Sequence, residues 1–105
     1  MLNKVESEER GFKQANLNRG DVLIELIELN SSLTPKKLLE NQPKKTKIDG
    51  FFKFGFRVTE FDKWVDALKK LKVEFYGDVV TDGLSGKRML LIYDPDGNRI
   101  QIFEK

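Results

Sequence analysis

The sequence predicts an α+β fold whose best-defined part is a βαβββ module. Three observations carry this. A turn-rich stretch, Asp94-Pro95-Asp96-Gly97-Asn98, separates two apolar runs near the C-terminus. One helical pattern, Phe61, Trp64, Val65, Leu68 and Leu71, lies between two strand-like segments. A second turn, Asn18-Arg19-Gly20-Asp21, joins two further strand-like segments near the N-terminus.

In chain order, residues 1–5 form an extended lead-in and residues 6–10 a polar, exposed loop. Residues 11–17 and 22–29 make an antiparallel hairpin. With Arg19-Gly20 as its two-residue loop, Asn16 faces Leu23 and Gln14 faces Glu25. Gln14, Asn16, Leu23, Glu25 and Ile27 then share one side, while Lys13, Ala15, Leu17, Val22, Ile24 and Leu26 take the other. Residues 30–50 are a polar, lysine-rich connector in which Thr34 caps a short helix with Pro35 at its first position. Residues 51–58 form a buried strand, and Thr59-Glu60-Phe61-Asp62 has the capping-box form that opens the amphipathic helix. Residues 73–80 are the next strand and residues 81–86 a turn. The strand over residues 87–93, the Asp94–Asn98 turn and the strand containing Ile100, Gln101 and Ile102 complete the module. In that turn Pro95 presets φ, Gly97 supplies positive φ, and Asp94, Asp96 and Asn98 bring side chains that hydrogen-bond locally.

A chain of 105 residues with 39% hydrophobic and 34% charged residues is an ordinary globular composition, so a single domain over residues 1–105 is expected. Net charge is +2 with both signs interspersed, which argues against a nucleic-acid partner. No stretch approaches the roughly 18 apolar residues of a spanning helix and no signal-like run opens the chain, so the expected address is cytoplasmic with no membrane partner. The absence of Cys excludes disulfides and thiolate chemistry, and the absence of His removes the commonest metal ligand and general base. Ser31, Ser32 and Ser85 have no base partner of the usual kind, and Gly83-Leu84-Ser85-Gly86 falls short of a nucleophile elbow.

The element order, joined to Asp94-Pro95-Asp96-Gly97-Asn98 followed by Ile100-Gln101-Ile102, resembles the vicinal oxygen chelate superfamily, which includes glyoxalase I, extradiol dioxygenases and bleomycin resistance proteins. Residues 11–30 resemble the tail of a preceding module, with Gly20-Asp21 before Ile24-Glu25-Leu26. The resemblance implies an incomplete first module over residues 1–30, a connector over 31–50 and a complete βαβββ module over 51–105, with a mixed sheet curled into a cup. It also implies that a first strand and helix are lacking. Each large apolar side chain left bare by a missing helix forgoes roughly 1.5–3 kcal/mol of burial, so a homodimer or higher assembly covering the gap is expected.

In the superfamily's metal enzymes each module supplies one ligand from its first strand and one from its last. By resemblance, Glu25 keeps one such position, Lys53 stands at another and Gln101 at a third. An ammonium cannot ligate and a neutral amide binds a divalent ion weakly, so no metal or other cofactor is expected. The cup would present Glu25, Lys53, Arg57 and Gln101 with Gln14 and Asn16 nearby, above walls from Leu23, Ile27, Leu90 and Phe103. Lys53 would pair with Glu25, and Arg57 would offer its fork to an anionic or carbonyl-bearing ligand. A structural ion pair without a ligand is the plain alternative. Phe51, Phe52, Phe54, Phe56 and Trp64 likewise have a core reading and a ligand-stacking one. The function expected is a metal-independent small-molecule binding module. The alternatives are a metal-dependent lyase, isomerase or dioxygenase represented by a truncated chain, and a remnant without a ligand.

Overall fold

The computed structural model describes residues 2–7 and 10–105. The chain divides into two units, Met1–Ile48 and Asp49–Lys105. In the first, β1 (Leu2–Ser7), β2 (Phe12–Arg19) and β3 (Val22–Leu29) form an antiparallel sheet in that order. Residues 6 and 7, expected in a loop, extend β1, because β2 supplies a partner that this polar sequence does not advertise. Glu8 and Glu9, from the same expected loop, lie outside the described residues.

The hairpin between β2 and β3 turns one residue later than expected, at Gly20-Asp21, with Gly20 at φ 59°. Only glycine takes that left-handed conformation without strain. Asn16 therefore faces Glu25, and Gln14 faces Ile27. Every cross-strand partner has moved by two residues, and since side chains alternate with period two, the composition of both faces survives. Short helix α1 (Pro35–Leu39) follows, and Thr34 caps it as expected, its Oγ1 accepting from the Lys37 amide at 3.2 Å.

The second unit runs β4 (Lys53–Val58), α2 (Phe61–Lys70), β5 (Glu74–Phe75), β6 (Val80–Thr81), β7 (Arg88–Tyr93) and β8 (Arg99–Glu104). Its mixed sheet has the order β4-β8-β7-β5, β4 parallel to β8 and the other pairs antiparallel, with β6 also on β7. This is the βαβββ order with one strand broken. The expected strand over residues 73–80 splits into β5 and β6 around Gly77-Asp78, two residue types that pleated strands disfavour.

Helix α2 starts later than the capping box implies. Its N-cap is Glu60, left-handed at φ 56° and without a side-chain cap bond. Asp62, which should have reached back to the cap, accepts from Arg88 instead, at 2.8 and 3.3 Å. The amphipathic stripe does its expected work through Phe61, Val65 and Leu68. These pack with Leu90, Ile92, Ile102 and Ile100 of the central strands and with Phe56, Val58, Val73 and Phe75. Leu71, at the C-cap, is 75% exposed and lies outside that core. Leu90, expected on the cup wall, is 1% exposed at the centre of the core, because even-numbered residues of β7 face the helix.

The Asp94 turn is closed as its composition requires. Asp94 Oδ1 accepts from the Asp96 and Asn98 amides at 2.9 and 2.8 Å, Oδ2 accepts from Asn98 Nδ2 at 2.9 Å, and Gly97 sits at φ 84°. This fixes β7 against β8 and brings Leu91 opposite Gln101.

The pairing of β4 with β8 depends on a missing side chain. A Cβ at Gly55 would lie 2.6 Å from the Gln101 carbonyl oxygen and 2.8 Å from Phe103 Cε2. Gly55→Ala is therefore expected to destabilise the protein by about 1–3 kcal/mol in urea unfolding. Gly77→Ala, with open space around it, should stay within about 0.5 kcal/mol.

Candidate functional site

The expected polar side chains gather on two faces, one in each unit. In the first unit, Gln14 Nε2 donates to Asn16 Oδ1 at 2.8 Å and to Glu25 Oε1 at 3.3 Å. The three residues named from the sequence thus form one cluster on the face shared with Leu23 and Ile27, which are 56% and 55% exposed. The Gln14 amide uses its donors internally and leaves the Glu25 carboxylate as the charge of the cluster.

In the second unit, alternation places Lys53, Gly55 and Arg57 of β4 on the face away from α2. Their partners on β8 are Arg99, Gln101 and Phe103, and the partners of those on β7 are Tyr93, Leu91 and Met89. Gln101 is 8% exposed, and its Nε2 donates to Met89 Sδ at 2.9 Å. The close approach at Gly55 lets the Phe103 ring cover the strand beside it. Lys53 and Arg57 are exposed at the two ends of this row. Glu25 belongs to the first unit and Lys53 to the second.

Sequence reasoning missed Arg99. Its guanidinium lies over the Phe52 ring at 5.0 Å and over the Tyr76 ring at 5.2 Å. The signal was present, since Arg99 is two residues before Gln101 and must share its face. Phe51 and Phe52 are 69% and 64% exposed and lie outside the core, whereas Phe56 packs against it. Ser85 donates its hydroxyl to the Asp82 carboxylate at 2.6 Å. That bond and the Ser85 and Leu84 amides hold the Asp82 carboxyl below its usual range, which makes a locked turn.

Of the three positions that resemble metal ligands, Glu25 alone carries a side chain that binds a divalent metal well. An ammonium at Lys53 has no lone pair to donate, and Gln101 offers only the oxygen of a neutral amide, its Nε2 donating to Met89 Sδ. Among the described residues no group of three or more acidic, His or Cys side chains is placed to hold an ion.

The helix side of the same sheet carries a depression of about 460 Å³, lined in part by Glu60, Asp62, Lys63, Arg88 and Glu104. Its charges are already spent on one another. Arg88 pairs with Asp62 at 2.8 Å and with Glu104 at 2.7 Å, and its guanidinium lies 4.9 Å over the Phe61 ring. The hydrogen bonds to Glu104 first, and to Asp62 next, push the Arg88 pKa well above its ordinary range. The Arg88 guanidinium and amide hold the Glu104 carboxyl below its own. This is a brace tying α2 to β7 and β8, so the candidate site is the opposite face.

A family model described as Glyoxalase/Bleomycin resistance protein/Dioxygenase superfamily matches residues 2–102. Among solved structures, a glyoxalase family protein from Enterococcus faecalis aligns with TM-score 0.76 and 18% identity, over 98% of this chain and 76% of that one. A glyoxalase family protein from Bacillus cereus aligns with TM-score 0.65 and 24% identity, over 98% and 77%. The fosfomycin resistance protein FosX from Listeria monocytogenes aligns with TM-score 0.61 and 15% identity, over 99% and 73%. At these identities the likeness is one of fold. No curated protein matches the chain at a significant level.

The brace predicts an acid limb. Glu104 is more acidic folded than unfolded, so its contribution is fully present above the ordinary value of 4.5 and is lost as pH falls through the lower folded value. Urea unfolding from pH 6 to pH 3 should show this loss, and Arg88→Met should flatten it.

Proposed function

Because the chain belongs to the glyoxalase/bleomycin resistance protein/dioxygenase superfamily, we propose that it is a metal-independent module that binds a small molecule on its polar sheet faces. The observation that carries this is the state of Gln101. At a position where the superfamily's metal enzymes place a ligand, this chain buries a neutral amide and commits its nitrogen to Met89 Sδ. Lys53 and Arg57 give the same face two cationic donors, and Arg57 has the planar fork suited to a carboxylate or carbonyl group. Gln14, Asn16 and Glu25 are the ligand-contacting set of the first unit, with Glu25 as its anionic acceptor.

The binding form is a homodimer in this reading. The face of β2 and β3 opposite Glu25 carries Leu17, Val22 and Leu26 at 39%, 48% and 55% exposure, apolar surface of the kind that a second copy buries. Size-exclusion chromatography with light scattering at micromolar concentration should report twice the chain mass, and a stable monomer would contradict the dimer.

Isothermal titration with zinc, nickel, manganese and iron(II) tests metal independence directly. No stoichiometric uptake is expected. Binding of one ion per chain at micromolar affinity or tighter would overturn the reading in favour of a metal-dependent lyase, isomerase or dioxygenase.

A further inference from the structure

The face that carries Gln101 holds two like charges side by side. Lys53 and Arg99 are register partners on β4 and β8, and strands in a sheet run about 4.8 Å apart. Like charges set opposite one another on neighbouring strands destabilise the pairing. Within this unit, and among its described residues, neither is ion-paired with a carboxylate. The same sheet answers the cation on its other face very differently, by giving Arg88 two carboxylates.

Aromatic rings hold these two cations in place. Phe52 lies under both, 5.6 Å from Lys53 Nζ and 5.0 Å from Arg99 Cζ. Tyr76 takes a second contact with Arg99 at 5.2 Å, and is itself fixed by a T-shaped contact with the Tyr93 ring, centroids 5.8 Å apart, and by the hydrogen bond its backbone N–H donates to the Leu91 carbonyl at 2.9 Å. Ring contacts orient a guanidinium through its faces and consume none of its in-plane N–H donors. Phe52 and Tyr76 remain 64% and 57% exposed. The result is a pair of positioned cations with their hydrogen-bonding capacity unspent, bordered by apolar ring surface.

We propose that Lys53 and Arg99 form an oxyanion-binding site for an aromatic or otherwise flat organic anion, a carboxylate or a phosphonate, whose body lies against Phe52 and Tyr76. An oxyanion between the two cations removes their mutual repulsion and accepts charge-assisted bonds from both. Arg57, four residues along β4, is about 13 Å away and takes no part in this subsite. The inference rests on the reading of this face as a small-molecule site and supplies its ligand class.

Nuclear magnetic resonance titration of the full chain, at constant ionic strength, with phenylphosphonate and with benzamide as its uncharged counterpart separates the outcomes. Phenylphosphonate should saturate and shift the Phe52, Tyr76 and Arg99 signals, and benzamide should bind about tenfold more weakly or not at all. Lys53→Gln and Arg99→Gln should each weaken phenylphosphonate by about tenfold, while Lys69→Gln on the exposed face of α2 should leave it unchanged. Without any probe, Lys53→Gln should hold or raise the melting temperature, because it removes a repulsion. Equal binding of both probes here would overturn the anion preference while leaving the small-molecule reading intact. Absence of phenylphosphonate binding, or a lowered melting temperature in Lys53→Gln with unchanged affinity, would reduce the cations to struts and overturn the inference. Stoichiometric metal uptake would instead defeat the parent reading alone.

Discussion

The parallel pairing of β4 with β8 is the constraint from which the rest of the second unit follows. Gly55 lies beside Gln101 because no side chain separates it from the Gln101 carbonyl and the Phe103 ring. That one registration sets Lys53 beside Arg99 and Arg57 beside Phe103 on one face, and sends Phe56, Val58, Ile100 and Ile102 toward α2 on the other. A slip by one residue would reverse every one of these assignments and put the cations into the core. The Asp94 turn then transmits the register to β7, so that Ile92 and Leu90 complete the core under Phe61 and Val65.

The two faces of this sheet treat charge in opposite ways. On the helix side Arg88 is spent on Asp62 and Glu104, and the site it occupies is a brace that holds the helix start. On the other side Lys53 and Arg99 rest on Phe52 and Tyr76, whose contacts position a cation without neutralising it. A depression exists where charges are satisfied, and donors remain where the surface is open.

Much of this was legible in the sequence because it rests on local chemistry. The Asp94–Asn98 turn, the Thr34 cap and the apolar stripe of α2 each depend on residues a few positions apart. Face composition was legible too, since alternation keeps Gln14, Asn16 and Glu25 together even though the hairpin turned one residue late. What escaped depends on partners distant in the chain. Thr59-Glu60-Phe61-Asp62 looks like a capping box until Arg88, 26 residues on from Asp62, takes that carboxylate. β1 pairs through residues 6 and 7 because β2 is there to receive them. Leu90 lies on the helix face because Leu91, its neighbour on β7, is the residue that stands opposite Gln101 across the turn.

The register of β4 on β8 can be observed directly in solution. With Phe103 Cε2 2.8 Å from where a Gly55 Cβ would stand, the Gly55 α-protons should show nuclear Overhauser contacts to the Phe103 ring and ring-current shifts. Unshifted Gly55 α-protons, or contacts placing the Phe103 ring beside Phe54 or Phe56 instead, would contradict the pairing that brings Lys53 to Arg99 and buries Gln101 between them and Phe103.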